Sequence, residues 1–205
     1  VFARHRPAAG RATAVAVSRR ILQVAGVVLA LAVPKAASAA PALSDLAVDR
    51  QGSDYVVSCR LVDGLSPAML EEIEAGIETT LDYRLQVYRR RTGLPDDQVV
   101  RRHVESSVRH DALTRQYTLT RRVDGELVDS RVTSDPSEMR AFLTTLRGLP
   151  VLRSPDLVAG EEYYVRARCD LGLVWRFYLI PWRLDTGWAR APIAPAPEET
   201  RGSGR

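Results

Sequence analysis

Gln116-Tyr-Thr-Leu-Thr-Arg-Arg-Val123-Asp124-Gly125-Glu126-Leu-Val-Asp-Ser-Arg-Val132 is the stretch that decides the fold class. An Asp-Gly pair between two alternating, strand-forming runs marks a two-residue hairpin turn, because both central positions need backbone conformations that Asp and Gly tolerate. Pairing Val123 with Glu126 sets Tyr117 opposite Val132 and places Leu119, Val123 and Val128 on one face. Thr118, Thr120, Asp129 and Arg131 take the other. One face packs and the other is wet.

The neighbouring segments agree with a sheet. Upstream, Leu81, Tyr83, Leu85 and Val87 alternate with Asp82, Arg84, Gln86 and Tyr88, the period of a half-buried strand. Val100, Val104 and Val108 fit the strand returning into the hairpin, a β-branched run more at home in a sheet than in a helix. Asp45–Asp49 and Tyr55–Val62 read as two further strands about a Gln51-Gly52-Ser53 turn, with Tyr55, Val57, Cys59 and Leu61 on one face. Two helices interrupt the strands. Ser66 caps the first, with Pro67 at its first position and Leu70, Ile73 and Ile77 as its apolar stripe. Asp135, Pro136 and Glu138 open the second, Met139, Phe142, Leu143 and Leu146 line it, and Gly148 and Pro150 end it. Glu161–Asp170 forms another strand, with Tyr163, Val165, Ala167 and Cys169 on one face. The pattern predicts an α+β domain, a largely antiparallel sheet with two helices, over residues 40–188. Residues 189–205, rich in Ala, Pro and Gly, are expected to be a disordered tail.

Residues 1–39 read as a leader with a cleavable signal peptide. Arg19 and Arg20 supply the positive start, Ile21–Val33 the apolar stretch, and Ala37-Ser38-Ala39 the small-residue cleavage site. The apolar stretch is shorter than the roughly 20 residues a membrane span needs. Val17, directly before Ser18-Arg19-Arg20, is an alternative start to Val1. The formal charge of +4 belongs to this leader: from residue 40 onward there are 23 basic and 25 acidic residues. Periplasmic export is the expectation, and with it nucleic acid is excluded as a partner. An oxidising compartment permits a bridge between Cys59 and Cys169, with two buried free thiols as the alternative.

The order of features resembles the exported proteobacterial domain-of-unknown-function proteins, a family described as proline-rich signal-peptide proteins. The resemblance runs from about Leu43 to Trp188. Its features are the opening strand pair, Gly64-Leu65-Ser66 with its helix, the strand Leu81–Arg91, the stretch Val108–Tyr117, the strand Tyr163–Asp170 and the terminal Asp185-Thr186-Gly187-Trp188. Cys59 and Cys169 are not part of that family pattern. The resemblance implies no assigned activity, no catalytic residues to carry over, and an envelope or membrane-associated partner such as a membrane sensor kinase.

Signatures of catalytic chemistry are few. There is no Gly-x-Ser-x-Gly elbow and no Gly-rich phosphate loop. His103 and Glu105 share a face on a strand while His110 points the other way, so neither a metal site nor a cofactor is expected. Arg89-Arg90-Arg91 with Arg101-Arg102 forms a candidate patch for anionic headgroups or glycans. Seven of the 13 aromatic residues, including all three tryptophans, lie between 163 and 188. Leu173–Trp182 is nearly continuous in apolar residues, so either both its faces are covered or one meets a partner. Trp175, Tyr178, Trp182 and Trp188 are therefore the candidate binding residues. The expected function is a non-enzymatic binding module of the cell envelope. An envelope-polymer hydrolase or isomerase, or a lipid-binding protein, is the alternative.

Overall fold

The computed structural model describes residues 40–158, 160–176 and 180–194, with the side chains of residues 154 and 173–183 outside the description. In chain order the elements are β1 (Ala42–Gln51), β2 (Asp54–Val62), α1 (Pro67–Glu74), β3 (Thr79–Arg89), β4 (Asp97–Asp111), β5 (Gln116–Val123), β6 (Glu126–Thr133), α2 (Pro136–Thr144), β7 (Thr145–Arg153), a 3-10 turn (Ser154–Asp156), β8 (Tyr163–Arg176), β9 (Ile180–Asp185) and β10 (Ala189–Ile193). The strands make two antiparallel sheets. One has the order β1-β2-β7. The other runs β10-β8-β3-β4-β5-β6, with β9 also pairing β8. Residues of both sheets and both helices share one core, giving the α+β domain that the sequence pattern predicts.

The core is the apolar phase of each strand. Leu81, Tyr83, Leu85 and Val87 of β3, Val104 and Val108 of β4, and Tyr163, Val165, Ala167 and Cys169 of β8 are all buried. From β2 come Tyr55, Val57, Cys59 and Leu61. Each large aliphatic chain taken out of water contributes about 1.5–3 kcal/mol before the entropy of ordering it is counted. The helices cover this face, anchored by Met69 and Ile73 of α1 and by Met139, Phe142 and Leu143 of α2. Their caps are the expected ones: Ser66 accepts from the Met69 N–H, and Asp135 from that of Ser137.

Four expectations are corrected by the tertiary structure. The first helix stops at Glu74 and Gly76 turns the chain at φ +83°, so Ile77 falls outside it and is 55% exposed while Met69 takes the core position. The second helix ends at Thr144. Leu146, Gly148 and Pro150 belong to β7, where Leu146 pairs with Cys59 and Pro150 with Val56. β7 is an edge strand, where a residue lacking an N–H is tolerated.

In the central hairpin Val123 does pair with Glu126, but Tyr117 faces Thr133, not Val132. A bulge between Arg121 and Arg122 adds one residue, Val128, to β6, and a slip of one residue exchanges the faces. Asp129 and Arg131 thereby join the side of Leu119, while Leu127, Val128 and Val132 are exposed. Arg121 accounts for the inward charge: it bonds Ser106 Oγ and the carbonyl oxygens of Phe142 and Thr145, at the junction of α2 and β7. Finally, Ala189–Ile193, expected in the tail, is the strand β10. Residues 195–205 and residues 1–39, read from sequence as a leader, lie outside the described residues.

Candidate functional site

β3, β4, β8 and β10 carry a second set of side chains on the face opposite the core. The same period of two that buries Val165 and Ala167 turns Tyr164, Arg166, Arg168 and Asp170 to the other face, where Tyr164 and Asp170 are themselves covered by their neighbours. Register places Tyr88 beside Tyr164, Gln86 and Arg190 on either side of Arg166, and Arg84 beside Arg168. These neighbours stack. Tyr88 and Tyr164 lie 5.5 Å apart at an interplanar angle of 12°. The Arg166 guanidinium sits 5.4 Å from the Tyr88 ring and 4.4 Å from that of Trp188, Arg168 is 5.1 Å from Trp188, and Arg190 is 5.4 Å from Tyr164. A guanidinium within about 6 Å of an aromatic face is attracted by the ring quadrupole, which fixes these long side chains in place. The result is a ladder of alternating arginine and aromatic groups.

At one end the ladder opens into a cleft of about 610 Å³, lined by Arg90, Asp96, Glu162, Tyr164, Arg190 and Pro192 among others. Two of its three carboxylates, Asp96 and Glu162, are engaged, and the third is the exposed Glu161. Tyr164 donates its hydroxyl to Asp96 Oδ2 at 2.7 Å and the Arg91 N–H donates to Oδ1 at 3.2 Å, which together hold the Asp96 carboxyl below the usual carboxylate range. Glu162 meets Arg90 at 2.9 Å. At the other end of the face the charge reverses. Asp82, His103 and Glu105 cluster on β3 and β4, with His103 Nε2 3.4 Å from Asp82 and Nδ1 3.7 Å from Glu105.

Of the residues singled out from sequence, Trp188 is in the ladder, half-buried between Arg166 and Arg168. Tyr178 and the side chains of Trp175 and Trp182 lie outside the described residues, although the backbone pairs Val174 with Trp182 across β8 and β9. Three arginines of the expected patch are ion-paired. Arg89 pairs with Asp97 at 3.0 Å, Arg90 with Glu162, and Arg102 with Asp124 at 2.9 Å. His110 is held apart from His103, with Nδ1 3.1 Å from the Glu74 carbonyl oxygen and its ring against Tyr117. Cys59 and Cys169 are free and buried rather than bridged. Burial pushes the Cys59 thiol up to about 12 and that of Cys169 further, so neither is a nucleophile near neutrality. Beside them Tyr83 donates its hydroxyl to the Leu143 carbonyl at 2.6 Å.

The match to a family model covers residues 38–174. The chain belongs to the DUF4390 family of domains of unknown function. No curated protein and no solved structure matches the chain. The DUF4390 match takes in Tyr88, Tyr164, Arg166 and Arg168, while Trp188 and Arg190, which complete the ladder, lie beyond its end. Those ladder residues other than Trp188 are the ones sequence reasoning missed. The signal was present in Tyr164-Val-Arg-Ala-Arg168: its buried phase was read for the core, and its outward phase has meaning only when β3 and β10 are set beside it.

Proposed function

We propose that this protein is an exported, periplasmic and non-enzymatic binding module of the cell envelope, whose partner seats on the arginine–aromatic ladder and its cleft. The observation that carries this reading is the ladder itself: four arginines (Arg84, Arg166, Arg168, Arg190) with Tyr88, Tyr164 and Trp188 on one sheet face. Arginine and aromatic residues are the side chains most enriched where a few contacts dominate binding. Stacked guanidinium groups favour a partner surface bearing carboxylates or other planar anions. The leader pattern at Arg19-Arg20, Ile21–Val33 and Ala37-Ser38-Ala39 supports export. Asp96 and Glu162 in the cleft support binding over acid–base catalysis: a general acid needs a raised pKa, whereas Asp96 is held low and Glu162 is ion-paired. An envelope protein, such as a membrane sensor kinase, is the proposed class of partner.

The test uses cells producing the full chain with a photo-crosslinking residue at position 192, within the cleft. A discrete envelope adduct is expected in the wild-type background, together with a processed N-terminus at Ala40 or Pro41. Arg166→Glu combined with Arg190→Glu should abolish the adduct without lowering the melting temperature. An unprocessed cytoplasmic product, or an adduct indifferent to both charge reversals, would refute the reading.

A further inference from the structure

The acidic end of the same sheet face sets a histidine between two carboxylates. Asp82 lies directly opposite Glu105, and His103 opposite Arg84, on the adjacent strands β3 and β4. Both imidazole nitrogens face carboxylate oxygens, Nε2 toward Asp82 and Nδ1 toward Glu105. A neutral imidazole has one N–H and one bare nitrogen, and an ionised carboxylate only accepts. One of the two approaches therefore sets lone pair against lone pair, unless the ring carries both protons or a cation sits at that nitrogen. Across the sheet, Asp170, Asp82 and Glu105 also stand in register on β8, β3 and β4. Like charges directly opposite one another on a sheet are destabilising. Arg84 meets Asp170 at 3.7 Å, and Arg122 pairs in register with Glu105, while among the described residues His103 itself is what faces both Asp82 and Glu105.

We infer that Asp82, His103 and Glu105 form a binding site for a divalent transition-metal ion, with Zn²⁺ as the ion best matched to the donors. One donor atom from each residue lies within 4.8 Å of the other two. The 3.4 Å separation of His103 Nε2 and Asp82 Oδ1 is close to the ~3.3 Å between neighbouring ligands of a tetrahedral ion with bonds of about 2.0–2.1 Å. Imidazole among the donors selects Zn²⁺ and its neighbours over Mg²⁺ or Ca²⁺, which prefer oxygen alone. Two hydrogen-bonded strands fix the three side chains, so the site is set by the sheet rather than by a mobile loop. All three are roughly two-fifths exposed, leaving the remaining coordination position to solvent.

Zn²⁺ alone, titrated into the purified full chain, tests this by calorimetry together with the imidazole resonances. One equivalent should bind, shifting the ring signals of His103 and leaving those of His110 in place. His103→Asn and Asp82→Asn should each weaken binding by roughly tenfold or more, a loss produced even by residues that only support metal ligands. His110→Asn should bind as the wild type does, and Mg²⁺ should not compete. Absence of a His103 shift at a large excess of Zn²⁺ overturns the inference, and this readout needs no variant to fold. Undiminished binding by a folded His103→Asn protein overturns it equally.

Discussion

The two faces of the large sheet are built from the same strands and differ in almost everything else. Along β3 the inward residues Leu81, Tyr83, Leu85 and Val87 are at most 1% exposed and meet both helices and the smaller sheet. The alternate residues Asp82, Arg84, Gln86 and Tyr88 meet charges and rings from β4 and β8. The inner face holds its members by burial, which is indifferent to which apolar group is present so long as volume is kept. The outer face holds its members by stacking and ion pairing, which depend on particular groups but contribute little to stability in water. Separation by alternation means that one strand can be constrained for folding on one side and for recognition on the other.

The largest expected contrast sets Leu85→Ala against Arg101→Ala. Leu85 is 1% exposed and its truncation should cost about 2–5 kcal/mol in urea unfolding. Arg101, exposed one register position away, should change stability by no more than ~0.5 kcal/mol. Similar costs for the two would mean that the outer face is part of the core after all. Next comes Tyr83→Phe, which keeps the ring but leaves the Leu143 carbonyl without its donor. A loss of about 1–3 kcal/mol is expected, and an unchanged unfolding midpoint would show that this hydroxyl is not what ties β3 to α2.

Removing either helix cap, by Ser66→Ala or Asp135→Ala, should cost about 1 kcal/mol, since each leaves an N-terminal N–H without its acceptor. Those losses should leave partner capture on the outer face intact. The smallest effect concerns pH. Asp96 titrates below the ordinary carboxylate range because Tyr164 and Arg91 donate to it. Its contribution is therefore complete above that range and is lost only as pH falls through the lowered folded value. The Tyr164 ring resonances should stay constant from neutral pH through the usual carboxylate titration and move below it. Movement nearer neutrality would break the link between this carboxylate and the ladder.

Local chemistry was legible where one short segment sufficed. Asp124-Gly125 specifies a turn by its backbone, Ser66-Pro67 and Asp135-Pro136 specify helix starts by their hydrogen bonds, and alternation in β3 and β8 specifies the buried phase. These are interactions over a few residues, so their cause is contained in the sequence that shows them. The candidate site was legible only at Trp188. The clustered aromatic residues drew attention to the C-terminal segment, but not to Tyr88 or Arg166.

What the sequence by itself determined was the α+β class, the strand that pairs around the central turn, both helix caps and the core phase of each long strand. Tertiary structure alone decided the Val128 bulge that sets Asp129 and Arg131 on the side of Leu119, the conversion of Leu146–Pro150 into β7 and the capture of Ala189–Ile193 as β10. It also decided the meeting of Arg166, Tyr88 and Trp188, and that of His103 with Asp82. The physical reason is common to all of these. Each depends on which strand lies alongside and in what register, and pairing energies between segments up to about a hundred residues apart leave no periodic mark on either segment alone.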